Sequence, residues 1–355
     1  MLDLGTVGGR RVRRYVYGRT QREVLLALAE LRRDVSSGRD VTAPHRSVSQ
    51  WLDQWLVVKR NDGVRATTFR FYEQLIEAHI KPDLGEVRLD RLSPGDVRSL
   101  ISAKMGTHLS PTTVAHILRL LRNALGDAEN LDLVPRNAAK AVRMPAVPRR
   151  EAPTLDVAEA RRLLSVISGH RLHALFATAL VLGLRRGEVL GLSWDDVDFR
   201  SDSVRIKASL QRLNGTLQLV PPKTRASASV LATPPGLMKI LSRHRVEQQA
   251  ERLAIGPAWP GLPLVFTSTT GTALEPRNVN REWEKVRAQA GLPELRFHDL
   301  RHSCATLLTA LGVHPRVVME MLRHSEIGVT MNLYSHVSPV LQRGAAEALE
   351  SALFQ

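Results

Sequence analysis

The chain has 355 residues, 43% of them hydrophobic, which suggests two or three domains with ordinary cores and argues against a disordered protein. It carries 50 Lys and Arg against 35 Asp and Glu, a net charge of +15 that favours a polyanionic partner such as nucleic acid. Its single cysteine, Cys304, excludes an internal disulfide framework. The sequence has no signal-peptide core and no apolar run near the roughly 18 residues of a membrane helix, which predicts a cytoplasmic protein.

The first 45 residues predict a small domain with a sheet and one helix. Alternating Arg, Val and Tyr residues after a Gly-Gly pair predict a hairpin followed by a short basic strand. Thr20 can cap a helix over 21–36. Tyr15 and Tyr17 lie among arginines, and they either contact DNA or pair across the sheet.

Residues 46–142 predict a helical bundle. Ser47 begins one helix, and a second spans about 66–80 and is expected to end before Pro82. Two Ser-Pro pairs, each an N-cap followed by a first-turn proline, begin two further helices with apolar periodicity. The stretch 143–153, RMPAVPRREAP, contains three prolines and predicts an extended linker.

The last part of the chain predicts a mixed α/β domain that ends in a tail helix. The fold class is therefore multidomain and mainly α, with small β-sheets. The predicted elements are helices over about 156–167 and 171–182, strands from Val204 to Leu231 around an Asn214-Gly215 turn, and helices from Arg277 to a tail helix over about 339–353.

Four short pieces of this domain carry polar residues that a purely structural helix does not need. Arginine forks bind the non-bridging oxygens of a phosphate and stabilise the charge that develops there during phosphoryl transfer. A tyrosine hydroxyl can act as the nucleophile, and Lys or His can protonate the leaving oxygen. Tyr334 is the only tyrosine after residue 72, so it is the one candidate nucleophile of this domain. The four pieces are Gly183 to Glu188, Lys223, His298 to His302, and Arg323-His324 with Tyr334.

Two alternatives stay open from the residues alone. Lys207 and Lys239 also flank the β region and compete with Lys223 for the role of the acid. His298 and His302, four residues apart, form a weak candidate zinc pair, since no Glu follows the first His.

The four pieces resemble the four catalytic boxes of the tyrosine recombinases of the phage integrase family. The matching stretches are GLRRGEVLGLSWDDVD, PPKTRASASV, FHDLRHSCATLL and LRHSEIGVTMNLYSHV. The bundle resembles the family's SAM-like core-site-binding domain, and the N-terminal residues resemble its arm-binding domain, truncated so that the first strand is missing. We therefore expect an arm-type DNA-binding domain over 1–45, a core-site-binding domain over 46–142, a linker over 143–153 and a catalytic domain over 154–355.

The resemblance also implies roles for single residues. Tyr334 is the implied nucleophile, Lys223 the implied acid for the leaving 5′ oxygen, and Glu188 the support of the first arginine. Arg323 stands where members often have Gly, and it either contacts a phosphate or only covers a helix end. The implied catalytic set is Arg185, Lys223, His298, Arg301, His324 and Tyr334.

The implied function is a site-specific DNA recombinase, a phage or mobile-element integrase. It forms a 3′-phosphotyrosyl bond and passes through a Holliday junction in a tetramer, with no cofactor, metal ion or ATP. Its implied partners are double-stranded DNA attachment sites in the nucleoid and further copies of itself, with a host DNA-bending protein and an excision factor as accessory candidates. The alternatives are a DNA-binding protein with reduced catalysis, which the complete set of boxes disfavours, and an enzyme like type IB topoisomerases, which the separate bundle and arm-like N-terminus disfavour.

Overall fold

The computed structural model describes residues 2–7, 10–36, 45–147, 152–213, 215–221 and 229–323. The chain folds into two compact units, Met1–Arg149 and Arg150–Gln355. The finer domain boundaries stay predictions, and residues 148–151 of the predicted linker lie outside the described part. Among the described residues, no helix combines the length and the apolar character that a bilayer crossing requires.

The N-terminal part of the first unit is a two-stranded sheet followed by a helix. Glu23 donates its backbone N–H to the Thr20 hydroxyl (3.3 Å), which confirms the predicted cap. Tyr15 and Tyr17 lie beyond the second strand and are 57% and 86% exposed, so the expectation that they pair across the sheet is wrong. The elements are the antiparallel strands β1 (Leu2–Val7) and β2 (Arg10–Arg14) and the helix α1 (Gln21–Ser36).

The rest of the first unit is the predicted helical bundle. Ser47 caps its first helix in a capping box with Gln50. The two Ser-Pro starts are confirmed, because the hydroxyls of Ser93 and Ser110 each accept a backbone N–H three residues on, at 3.2 Å. The helices are α2 (Val48–Asn61), α3 (Ala66–Leu75), α4 (Lys81–Leu84), α5 (Pro94–Met105) and α6 (Pro111–Asn130).

Two tryptophans of α2 fill the bundle core. Trp51 and Trp55 are each 1% exposed. Trp51 donates its indole N–H to the carbonyl of Ala124 (3.0 Å), and Trp55 donates to Asp127 Oδ2 (2.7 Å), both on α6. Burial of two indoles with satisfied N–H groups ties α2 to α6.

The expected end of the second helix before Pro82 is wrong. A π-helical turn, Ile76–Ile80, joins α3 to α4, and the helical run continues to Leu84. A new α-helix, α4, begins after the π-helical turn, so Pro82 lies in the first turn of α4, where a backbone N–H has no intrahelical partner. Ile76 and Ile80 are fully buried, which indicates that core packing selects this turn.

The second unit is mixed α/β, as predicted. A three-stranded antiparallel sheet has the order β3-β4-β7, and β5 and β6 form a separate hairpin. Leu213 pairs with Thr216 across the hairpin, and Gly215 has φ +80°, which confirms the predicted two-residue connection. The predicted tail helix lies outside the described residues. The elements are α7 (Val157–Val166), α8 (His173–Val181), α9 (Arg186–Leu190), β3 (Val197–Asp198), β4 (Ser203–Arg205), β5 (Ser209–Leu213), β6 (Thr216–Val220), β7 (Val230–Ala232), α10 (Pro235–Ile255), α11 (Pro276–Gln289), α12 (Asp299–Ala310) and α13 (Pro315–Leu322).

Helix α8 is the centre of the second core. Every residue from Ala174 to Leu180 is buried, so this helix packs on all sides. The Phe176 ring contacts the rings of Trp283 (5.2 Å between centroids) and Phe297 (6.1 Å). The chain that leaves α8 is therefore held by a rigid core, and it leads directly to the first of the predicted site residues.

Candidate active site

Arg185 is held at the N-terminus of α9 by Glu188. The Glu188 carboxylate accepts the backbone N–H of Arg185 at Oε2 (2.9 Å) and its guanidinium Nη1 at Oε1 (2.8 Å). Glu188 is buried, whereas the Arg185 side chain is 40% exposed. The carboxylate thus holds the backbone and one guanidinium nitrogen of Arg185 and leaves part of the guanidinium open to a ligand. This agrees with the predicted supporting role of Glu188.

Gly183 allows three segments to meet beside this arginine. It has φ +56°, and a Cβ at this position would overlap Leu322 Cδ2 and lie 3.2 Å from Cys304 Sγ. Only glycine combines this backbone conformation with such a close approach at low cost. The absence of a side chain at Gly183 therefore brings α12 and α13 up to the loop that carries Arg185.

Arg301 lies in the first turn of α12 and is 4% exposed. Its Nη1 donates to the carbonyl of Gly183 (2.6 Å), and its Nη2 donates to the carbonyl of Leu322. Burial, reinforced by the positive charges of Arg185 and Arg323, lowers the pKa of Arg301 to about 9. Arg301 thus joins the Arg185 loop to the end of α13, in the neighbourhood of two further cations.

His298 is the N-cap residue of α12, one turn before Arg301. The residue is exposed, and its ring packs edge-to-face on His302 with 5.2 Å between centroids. Desolvation by the atoms packed around it, together with the nearby His302 and Arg301, lowers the pKa of His298. The structure places it next to Arg301, as predicted. Among the described residues, no group of three or more side chains is arranged to hold a metal ion.

Sequence reasoning missed the buried carboxylate that orients α12. Asp299 is fully buried and accepts two hydrogen bonds from the Arg296 fork (2.9 and 2.8 Å) and one from the Arg296 backbone N–H (2.8 Å). The Asp299 carbonyl accepts the Ser303 hydroxyl, which in turn accepts the backbone N–H of Leu155. The spacing of three between Arg296 and Asp299 is a signal that could have revealed this brace.

The sequence left two roles open for Arg323, a phosphate contact and a cover for a helix end. It ends α13 in the left-handed conformation (φ +55°), and its side chain is fully buried. Its Nη2 donates to Glu188 Oε2 (2.7 Å), so the same carboxylate holds both Arg185 and Arg323. Within the described ranges, its Nε and Nη1 have no hydrogen-bond partner. Arg323 therefore does more than cover a helix end, because its fork reaches the carboxylate that also holds Arg185.

These residues form a cluster, named here the arginine cluster, of Arg185, Arg301, Arg323 and Glu188. Three guanidinium groups lie near one carboxylate, which leaves two uncompensated positive charges. Burial strengthens their repulsion, because the field of each charge is weakly screened there. Such a cluster suits an anion with several oxygens, and it can stabilise negative charge that develops during a reaction.

The remaining predicted site residues cannot be placed. Lys223, His324 and Tyr334 lie outside the described residues, in the stretches 222–228 and 324–355. Of the two competing lysines, Lys207 forms an ion pair with Asp196 (2.6 Å), and Lys239 is exposed on α10.

Family models match both units of the chain. Residues 153–340 match the Phage integrase family. Residues 47–105 match the phage integrase N-terminal SAM-like domain. An integrase from Streptomyces ambofaciens is 30% identical, over 95% of this chain and 88% of its own length. A tyrosine recombinase XerC-like protein from Caldanaerobacter subterraneus is 27% identical, over 96% of this chain and 92% of its own length.

Solved structures share the fold. The Tn1549 transposon integrase in complex with a circular intermediate DNA superposes with a TM-score of 0.74 at 19% identity, over 86% of this chain and 99% of that one. A lambda integrase dimer bound to a COC′ core site gives a TM-score of 0.62 at 17% identity, over 89% of this chain and 87% of that one.

Proposed function

Because the chain belongs to the phage integrase family and is a site-specific DNA recombinase, we propose that its arginine cluster binds the phosphate at which DNA is cut and that Tyr334 attacks this phosphate. The observation that carries the proposal is the convergence of Arg185 and Arg301, from segments more than 100 residues apart, on one cationic site. The shared Glu188 and the two carbonyls that hold Arg301 orient both forks before DNA arrives. Orientation in advance lowers the cost of stabilising the transition state.

The proposed reaction proceeds in two steps at one phosphorus. The Tyr334 oxygen forms a bond to phosphorus and loses its proton, and the bond from phosphorus to the 5′ oxygen breaks. Lys223 protonates that oxygen, so a 5′ hydroxyl leaves and a 3′-phosphotyrosine remains. In the second step the 5′ hydroxyl of a partner strand loses its proton and its oxygen bonds to phosphorus, while the bond to the Tyr334 oxygen breaks and that oxygen takes up a proton. Each step exchanges one phosphoester bond for another, so no ATP is required, and in this proposal the arginines stabilise the developing charge in place of a metal ion.

The histidines contribute hydrogen bonds and proton transfer in this proposal. His298, whose pKa is lowered by desolvation and by the nearby His302 and Arg301, can donate to a non-bridging oxygen or accept the tyrosine proton. His324 directly follows Arg323 in sequence, and we infer that it completes the set of donors around the phosphate.

The partners follow from the reaction. Strand exchange between two duplexes needs four cuts, so we infer a tetramer on double-stranded attachment sites. We also infer that residues 1–45, with the exposed Tyr15 and Tyr17 among arginines, contact separate arm sites. A host DNA-bending protein and an excision factor are the proposed accessory partners, and the bacterial nucleoid is the proposed location.

A nicked suicide substrate tests the proposal, since it traps a covalent protein–DNA adduct. The wild type should form the adduct in excess EDTA and without ATP, and Tyr334→Phe should bind the same DNA and form none. Tyr72→Phe is the matched control, because this tyrosine packs on Trp55 in the bundle core. An adduct formed by Tyr334→Phe, or loss of the wild-type adduct in EDTA with recovery on adding Mg²⁺ or Zn²⁺, would overturn the assignment.

A second assay separates recombination from simple relaxation. On a plasmid with two attachment sites, the proposed enzyme should produce recombinant products that depend on both sites. Relaxation of a plasmid that carries no site, without recombinants, would instead favour an enzyme like type IB topoisomerases.

A further inference from the structure

The end of α13 is attached to both predicted catalytic arginines by two consecutive residues. The carbonyl of Leu322 accepts Arg301 Nη2, and the side chain of Arg323 reaches Glu188, which holds Arg185. The chain then continues to His324 and, ten residues later, to Tyr334. The point from which the predicted nucleophile segment departs is thus fixed relative to both arginines.

The backbone at Arg323 indicates that its side chain is retained for a specific contact. Within the described part of the chain, the non-glycine residues with positive φ are Asp132, Asp202 and Arg323. Asp tolerates this conformation through local hydrogen bonds, whereas Arg has no such compensation and Gly is the usual helix-ending residue. A fully buried ion pair with Glu188 explains why an arginine occupies this position, although its left-handed backbone conformation favours glycine.

The shared carboxylate has an electrostatic consequence for Arg185. Glu188 Oε1 binds the Arg185 fork, and Oε2 binds Arg323 Nη2 together with the Arg185 backbone N–H. Without Arg323, the whole negative charge of Glu188 would act on Arg185. With Arg323 present, the carboxylate is divided between two cations, so more of the positive charge of Arg185 remains for a ligand.

We propose that Arg323 is a positioning residue that acts through Glu188, holding this carboxylate and keeping the charge of Arg185 available to the scissile phosphate. This inference rests on the proposed function. It differs from both earlier expectations for Arg323, a direct phosphate contact and a cover for the helix end. The Nε and Nη1 of Arg323, which have no partner among the described residues, add positive potential to the cluster.

Three substitutions separate the possible roles. Arg323→Gly relieves the backbone strain and removes the charge, Arg323→Gln removes the charge with a similar chain, and Arg323→Lys keeps the charge. Arg316→Gln is the matched control, since Arg316 lies on the same helix in an exposed ion pair with Glu320 (2.9 Å). We expect the rate of covalent adduct formation to fall about tenfold or more in the Gly and Gln variants, to recover partly in the Lys variant and to stay unchanged in the control.

A substrate with a neutral methylphosphonate at the cut position distinguishes charge from structure. If Arg323 acts by tuning the field at the phosphate, the rate loss of Arg323→Gln should shrink on this substrate, because its non-bridging oxygen carries less negative charge at every stage of the reaction. A purely structural defect would slow both substrates by the same factor. Thermal unfolding shows whether each variant is folded at the assay temperature, and Arg323→Gly, which relieves the left-handed backbone, keeps the test valid if the Gln variant folds poorly.

The outcomes distinguish the two proposals. If the wild type forms an adduct and both neutral variants form it at the wild-type rate, the inference about Arg323 fails and the proposed function stands. An equal loss on phosphate and methylphosphonate substrates also refutes it, leaving a structural role. If the wild type forms no adduct on its own attachment site, the proposed function itself fails.

Discussion

Replacing Gly183 by alanine tests how tightly the loop, α12 and α13 are packed at the site. The new Cβ would overlap Leu322 Cδ2, and Leu322 is fully buried, so its side chain has no room to move away. Overpacking of this kind costs roughly 1–3 kcal/mol, and an alanine with left-handed φ costs roughly 1–2 kcal/mol more. We therefore expect Gly183→Ala to lower the free energy of unfolding of the second unit by about 2–5 kcal/mol.

Gly312→Ala is the matched control. Gly312 has φ +74°, but an added Cβ would meet nothing within 4 Å, so only the backbone cost of roughly 1–2 kcal/mol applies. Hydrogen exchange at peptides of α8 and α12, measured against denaturant, reports the unfolding of this unit separately from the first. The double variant Gly183→Ala/Leu322→Ala should lose less stability than the sum of its single changes, because the smaller side chain makes room. Equal losses in Gly183→Ala and Gly312→Ala would refute the packing argument.

Three further predictions concern single groups. Arg301→Ala should slow adduct formation by about 10²–10³, the typical effect of removing one preorganised donor, while filter binding of DNA changes little because binding is spread over many contacts; adduct formation at the wild-type rate would contradict this. Cys304 should resist a thiol reagent at pH 8 until the chain unfolds, since burial raises its pKa to about 11 and keeps it a neutral thiol. Desolvation is the first cause of the lowered pKa of His298, so the unfolded chain binds a proton at this residue more readily than the folded chain does. The free energy of unfolding should therefore fall as the pH drops below about 6.5. Denaturant titrations at pH 7 and pH 5 should show a smaller loss in His298→Gln than in the wild type.

Several helix starts and the hairpin turn of the second unit could be predicted because their signals are local. The Ser47 capping box, the two Ser-Pro starts and the Asn214-Gly215 signal each depend on residues within four positions of one another. The π-turn at Ile76–Ile80 could not be predicted in this way. It places two isoleucines in the bundle core, and that preference depends on side chains of other helices.

In the candidate site, too, contacts between residues close in sequence could be predicted and contacts between distant residues could not. The contact between Arg185 and Glu188 spans three residues, so helical spacing was enough to predict it. The contact between Arg323 and Glu188 spans 135 residues, and no local pattern could indicate that the two share a site. The contacts of Arg301 with two backbone carbonyls were equally hidden, because a carbonyl acceptor has no signature in the sequence.

The arginine cluster is an unfavourable arrangement for a folded protein without a ligand. Arg301 has its pKa lowered to about 9, which means that its surroundings oppose its charge. Arg323 buries two N–H groups without a partner among the described residues, and one carboxylate lies among three guanidiniums. In the function proposed above, a phosphodiester supplies the missing negative charge and acceptor oxygens, and further charge develops on those oxygens as the bond to phosphorus forms. In the proposed reaction, the repulsion among the guanidiniums is therefore replaced by attraction to the phosphate, and this attraction grows towards the transition state.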